Sequence, residues 1–164
     1  MKHSFADLLQ ITRGADWKPP ATLFAIDPGE TCGWAVFRGG HLSISGQQEI
    51  TTMKDSRLEV GPLWDLIMQW QPNIVVMEGY RVYASKAAAH TWNALYTPKL
   101  IGAMEAVCDF RGIPVVIQMA SVKAFCTNDK LKAWGYYRRG EPHALDAIRH
   151  GCYYLLFHGR RLKK

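Results

Sequence analysis

The chain has 164 residues, 48% of them hydrophobic and six of them Trp, which suits one globular domain with a sizeable core. No run of about 18 apolar residues is present to cross a membrane, and Asp7 and Asp16 interrupt the N-terminal stretch where a secretion signal keeps an unbroken apolar core, so a cytoplasmic setting is expected. The formal charge of +6 is uneven: residues 1–120 hold 10 Lys and Arg against 11 Asp and Glu, whereas residues 121–164 hold 10 against 3, a basic C-terminal third that suits a polyanion.

In chain order, residues 1–21 read as an N-terminal extension and linker, a short amphipathic helix around Phe5 to Ile11 followed by Lys18-Pro19-Pro20. Residues 22–158 read as the domain proper, and 159–164 as a basic tail. Three strands form a meander at Thr22 to Asp27, Gly33 to Arg38 and Leu42 to Ile50, with Gly39-Gly40 as a hairpin turn. Helical spacing of Leu58, Leu63, Leu66, Ile67 and Trp70 predicts a helix over Arg57 to Trp70, kinked or restarted at Gly61-Pro62. A buried strand follows at Asn73 to Glu78, then a loop and a long helix from about Ser85 to Arg111, with Pro98 as a kink and Gly112 as its stop. Ile113 to Gln118 is a further strand, Ser121 is placed to cap a helix towards Lys132, and Pro142 opens a last helix to about Phe157. Strands that meander and then alternate with helices make an α/β fold with a mixed sheet.

Cys32, Cys108, Cys126 and Cys152 form no CxxC pair and lie in or beside apolar segments, which favours reduced packing thiols over disulfides. His143, His150, Cys152 and His158 match no standard zinc spacing.

Carboxylates in unusual places carry the functional reading. Asp27 ends the apolar run of the first strand; it either opens the turn made by Pro28-Gly29 or works as a charged group at a covered strand end. Glu78 repeats the anomaly at the end of IVVMEG, and in α/β sheets the C-terminal strand ends are where ligand sites collect. In EPHALDAIRHG, His143 and Asp146 share one face of a helix start, and the small apolar neighbours Ala144, Leu145, Ala147 and Ile148 carry that face onto the sheet. Three converging carboxylates repel unless a cation joins them, and hard ions such as Mg²⁺ or Mn²⁺ suit oxygen ligands.

DPGETCGWAVF, IVVMEG and HALDAIRHG, in that order on a strand, a strand and a terminal helix, resemble the three acidic motifs of the RuvC family of Holliday junction resolvases, within the RNase H-like superfamily. The resemblance spans roughly Leu23 to Phe157. It implies a five-stranded mixed sheet of order 3-2-1-4-5 with helices on both faces, a homodimer, and two-metal-ion hydrolysis of phosphodiester bonds in branched DNA with Mg²⁺ or Mn²⁺. By the same resemblance Asp27, Glu78 and Asp146 match the family's catalytic acids and metal ligands. His143 matches a fourth ligand position, and Lys123, in ASVKAF, a lysine near the scissile phosphate.

Departures from the pattern are equally visible. The family's junction wedge, an aromatic three residues after the second acid, is Arg81 here, with Tyr80 and Tyr83 on either side. A short CTNDK stretch replaces the family's Gly-rich loop. Tyr80, Arg81, Tyr83, Lys86, Lys123, Lys130, Lys132, Arg138 and Arg139 are the expected DNA contacts, with Trp92 a further stacking ring. Compact relatives of this kind occur in bacteriophages, an origin the sequence accommodates. Two rivals are an actin-like kinase, for which 164 residues supply no second lobe, and a non-catalytic DNA-binding or scaffolding descendant, against which the intact acids argue. The shortened loop leads to an expectation of flap or fork cleavage beside junctions.

Overall fold

The structure is a computed structural model and describes residues 3–52, 57–80 and 96–158. The first part of the predicted long helix, the region of Arg81, Tyr83, Lys86 and Trp92, and the basic tail lie outside the described residues.

Five strands make the main sheet: β1 (Thr22–Asp27), β2 (Thr31–Arg38), β3 (His41–Glu49), β4 (Ile74–Glu78) and β5 (Val115–Gln118). Their order is β3-β2-β1-β4-β5, antiparallel among the first three and parallel from β1 to β4 and from β4 to β5. The meander and the crossover order therefore agree with the sequence reading. Gly39 and Gly40, with φ of 54° and 84°, make the hairpin turn between β2 and β3, a left-handed pair that side chains beyond glycine resist.

Because β1 is central and covered on both faces, Leu23, Phe24, Ala25 and Ile26 are all fully buried. The pleat sends them alternately to two cores. Leu23 and Ala25 join Phe37 and Val76 beneath helix α5 (Pro142–Phe157), where Ile148, Cys152 and Leu155 pack. Phe24 and Ile26 join Val36, Val75 and Met77 against helices α2 (Gly61–Trp70) and α3 (Tyr96–Phe110), through Leu63, Ile67, Leu100 and Met104. All four cysteines are buried and unpaired, as expected of packing thiols.

Two helix starts differ from the sequence reading. Helix α2 begins at Gly61 and holds Pro62 in its first turn, while Arg57–Leu58 pairs with Thr51–Thr52 as a two-stranded ribbon. Proline is tolerated in the first turn because its missing N–H has no partner to lose there, so it starts this helix rather than kinking it. After β5, a 3₁₀ helix (Ala120–Phe125) comes first, and α4 (Asn128–Ala133) follows as a separate helix. Ser121 lies within the 3₁₀ turn, and Thr127 supplies the cap, accepting from the Lys130 N–H.

Helix α1 (Phe5–Arg13) is closed at its start by a reciprocal capping box between Ser4 and Asp7. It then packs into the α5 side of the core. Phe5 and Leu9 are buried, with the Phe5 ring 5.0 Å from Trp134 and 5.4 Å from Tyr136. Arg13 donates to the backbone carbonyls of Leu155 at 2.7 Å and Tyr154 at 3.0 Å, tying α1 to the end of α5. Replacing Phe5 by Ala removes a buried ring from this junction and is expected to cost about 3 kcal/mol in urea unfolding; an unchanged midpoint would mean that α1 contributes nothing to the fold.

Candidate active site

Helix α5 reaches the sheet because of a missing side chain. Gly33 on β2 stands directly across the ladder from Asp27, and a Cβ there would collide with the backbone carbonyl of His143. Only glycine lets the first turn of α5 lie against β2 beside the end of β1. Pro142 sits in that first turn, and the Gln47 side chain of β3 accepts from the His143 N–H at 3.2 Å, satisfying one of the helix's unpaired donors. His143, Asp146 and His150 then follow at spacings of three and four, one stripe of the helix facing the strand ends.

Each member of the stripe meets a partner from a different element. His143 Nδ1 lies 3.1 Å from Asp27 Oδ2 at the end of β1. Lys123, from the 3₁₀ helix, places its Nζ 2.7 Å from Asp146 Oδ2 and 2.7 Å from Glu78 Oε2 at the end of β4. Arg149 pairs with the other Asp146 oxygen and donates through Nε to the Cys126 carbonyl at 3.0 Å. His150 is fully buried; its Nε2 lies 2.9 Å from Glu78 Oε2 and its Nδ1 2.7 Å from Gln118 Oε1.

The three acids are electrostatically unequal. Burial pushes the Asp27 carboxyl up from an ordinary 3.8 to about 6; Lys123 and the His143 contact oppose this, while Asp146 and Glu78 reinforce it. Burial also works against the Glu78 charge, but hydrogen bonds from His150 and Lys123 outweigh it and bring that carboxyl down from 4.5 to about 2. Lys123 is held above its usual range: burial disfavours its charge, and the Asp146 and Glu78 contacts more than compensate.

The donor set fits a hard divalent cation. Glu78 and Asp146 both reach one ammonium, so an ion in the place of Lys123 Nζ would meet an oxygen from each. Asp27 beside them is the acid whose charge is least compensated, and it would gain most from such an ion. Among the described residues no three His, Cys, Asp or Glu side chains already stand as one coordination shell, because Lys123, Arg149 and the two histidines occupy their oxygens. A cleft of about 350 Å³ opens beside Asp146 and His143, walled by Asn128, Tyr137, Gly140 and Arg149.

Of the residues singled out in the sequence, Asp27, Glu78, Asp146, His143 and Lys123 converge. The zinc set does not: His143 and His150 address different acids, Cys152 lies in the core and His158 stacks on Tyr154. Lys130 lies over the Phe125 ring and donates to the Phe125 carbonyl at 2.7 Å, Lys132 lies over Tyr137, and Arg138 turns to the carbonyls of Gly135 and Tyr137. Arg139 is exposed and Tyr80 is half-buried. Arg81, Tyr83 and Lys86 lie outside the described residues. Sequence reasoning missed the parts played by Gln47, Gln118, Arg149 and His150; the available signal was a histidine four residues after Asp146, in the largely apolar stretch Ala147 to Leu156.

A five-stranded mixed sheet of order β3-β2-β1-β4-β5 with helices packed on it is the fold that the chain shares with solved RuvC structures. Among solved structures, RuvC of T. thermophilus in complex with a Holliday junction substrate matches with a TM-score of 0.64 at 17% identity, over 82% of this chain and 93% of that one. A further Thermus thermophilus RuvC structure matches at 0.60 and 15% identity, over 82% and 93%. The yeast mitochondrial Holliday junction resolvase Ydc2 gives 0.49 and 13% identity, over 92% of this chain and 84% of that chain. No protein-family model matches the chain, and no curated protein matches it in sequence. Among the described residues no helix is long and apolar enough to cross a membrane.

The unequal acids make a pH test of the metal-free protein. Asp27 holds its proton more tightly folded than unfolded, so its contribution to stability is full below about pH 4 and is lost as pH rises through about 6. Glu78 behaves oppositely, contributing above its unfolded value of 4.5 and losing that contribution as pH falls towards 2. Urea unfolding in EDTA at pH 8 should find Asp27→Asn more stable than wild type, on the order of 2 kcal/mol, and Glu78→Gln less stable. The Asp27→Asn advantage should vanish at pH 4; an advantage that persists there would place its origin elsewhere.

Proposed function

We propose that the protein is a metal-dependent endonuclease that hydrolyses phosphodiester bonds in branched DNA, with Mg²⁺ as its resident ion and Mn²⁺ as a substitute. The observation that carries this reading is the meeting of Glu78 and Asp146 at the ammonium of Lys123, with Asp27 at the adjacent strand end held by His143. The RuvC-type fold supports it, and the junction-bound T. thermophilus RuvC indicates the substrate class to test first.

Asp27, Glu78 and Asp146 would hold the ions. When bound, they supply charge stabilisation at the scissile phosphate and a more acidic attacking water. The chain's own groups do the rest. His143 uses Nδ1 towards Asp27, which leaves Nε2 on a ring 43% exposed to orient a water or accept its proton. Lys123, which pairs with Glu78 and Asp146 here, would place its ammonium on the phosphate if ions took over those carboxylates. Lys130, Lys132, Arg138 and Arg139 would hold neighbouring phosphates, contacts that position a backbone without reading bases. Two copies related by a two-fold axis would set two such sites at the paired strands of a junction, and the exposed Phe110 at the end of α3 offers an apolar side chain to such pairing.

Single changes of Asp27, Glu78 or Asp146 to the matching amide should lower cleavage by orders of magnitude while junction binding survives. A panel of labelled four-way junction, flap, fork and linear duplex, at equal concentration and salt with Mg²⁺ or Mn²⁺, should show cutting of the branched forms and little of the duplex. Wild-type protein that binds the junction but cuts nothing would favour a DNA-binding or scaffolding role. Junction binding should fall steeply as salt rises, and light scattering at micromolar concentration should return a dimer.

A further inference from the structure

His150 is the one buried side chain in the described part of the chain with two ionisable ring nitrogens, and Gln118 is its only companion among buried polar residues there. The two meet each other and Glu78. Glu78 and Gln118 are register partners on neighbouring parallel strands, and His150 descends from α5 between them. Gln118, His150 and Glu78 therefore form a chain of hydrogen bonds that leads from the core to the site.

The direction of that chain follows from its chemistry. Glu78 Oε2 is an acceptor when ionised, so a neutral ring with its proton on Nδ1 would set a lone pair against a carboxylate. The arrangements that avoid this all leave a proton on Nε2: a doubly protonated ring, or a neutral ring whose Nδ1 accepts from the Gln118 amide turned end for end. His150 thus donates to Glu78 in either protonation state. His150 favours the Glu78 charge, yet holding that charge does not by itself require a histidine. Glu78 keeps 20% of its side-chain surface exposed, where water can satisfy it, and an apolar side chain would fill the core position without desolvating an imidazole. What water cannot do is fix which oxygen faces inward.

We infer that His150, backed by Gln118, is a positioning residue that holds Glu78 Oε2 from the core side and thereby fixes the carboxylate in the orientation it offers to the cation. The inference rests on the proposed function. Buried donors behind carboxylate and histidine ligands raise metal affinity by holding the ligand in one orientation, and their loss costs about 10- to 100-fold in binding. Lys123 shares the same Oε2, so its departure leaves His150 as the donor that keeps the carboxylate from turning.

Calorimetric titration of the metal-free protein with Mn²⁺, without DNA, tests this. His150→Leu should bind Mn²⁺ about 10- to 100-fold more weakly than wild type, and His150→Gln, whose amide can reach the place of Nε2, should recover most of that loss. Binding of a four-way junction in EDTA should be the same in all three, which a merely unfolded variant would not manage. If His150→Leu fails to fold, Gln118→Leu replaces it and should show a smaller loss of Mn²⁺ affinity in the same direction. Wild-type affinity in the folded variant, or no gain from His150→Gln over His150→Leu, overturns the inference while leaving the nuclease reading intact. Wild-type protein that takes up no Mn²⁺ overturns the metal-centre reading and the inference together.

Discussion

The contact between the first turn of α5 and the backbone of β2 is the constraint on which the site depends. Position 33 has room for a hydrogen and nothing larger, so the carbonyl of His143 settles over it and the helix axis is fixed beside the end of β1. From there the geometry is dictated by helical spacing. Asp146 falls within reach of the 3₁₀ helix, and His150 within reach of β4 and β5. Move the helix outward by the size of a methyl group and three separate pairings lose their distances together.

Within that frame the protein concentrates negative charge and then restrains it unevenly. Glu78 has an ammonium and a buried ring on one oxygen, Asp146 has a lysine on one oxygen and an arginine on the other, and Asp27 has one histidine in a largely buried place. Glu78 is thereby kept ionised without an ion, while Asp27 carries the unrelieved electrostatic cost.

The sheet and the acids were legible because each left a local trace. A covered strand must be apolar, so a carboxylate at the end of LFAID or IVVME stands out, and a glycine pair between two alternating runs announces a hairpin. The helix boundaries near Pro62 and Ser121 were harder, since each sits by residues suited to more than one local ending, and the choice fell to the ribbon at Arg57–Leu58 and to Thr127. The partners of the acids left no trace. Gln47, Gln118 and His150 are ordinary residues in ordinary strands and helices, and they matter only through contacts 96, 32 and 72 residues apart in the chain. The depth of α1 was equally hidden: the Lys18-Pro19-Pro20 break suggests a detachable piece, whereas Phe5 and Arg13 bind it to the helix that carries the site.

That last attachment changes how α5 should be thought of. The helix is held at its start by the amide of Gln47 and at its end by the guanidinium of Arg13, like a beam resting on two supports. A beam so mounted bends little in the middle, where Asp146 and His150 lie. The cost of assembling the carboxylates is then met once, at folding. It also means that the two ends of the chain share one mechanical duty: a change among the first thirteen residues would be felt, through α5, at acids more than a hundred positions away.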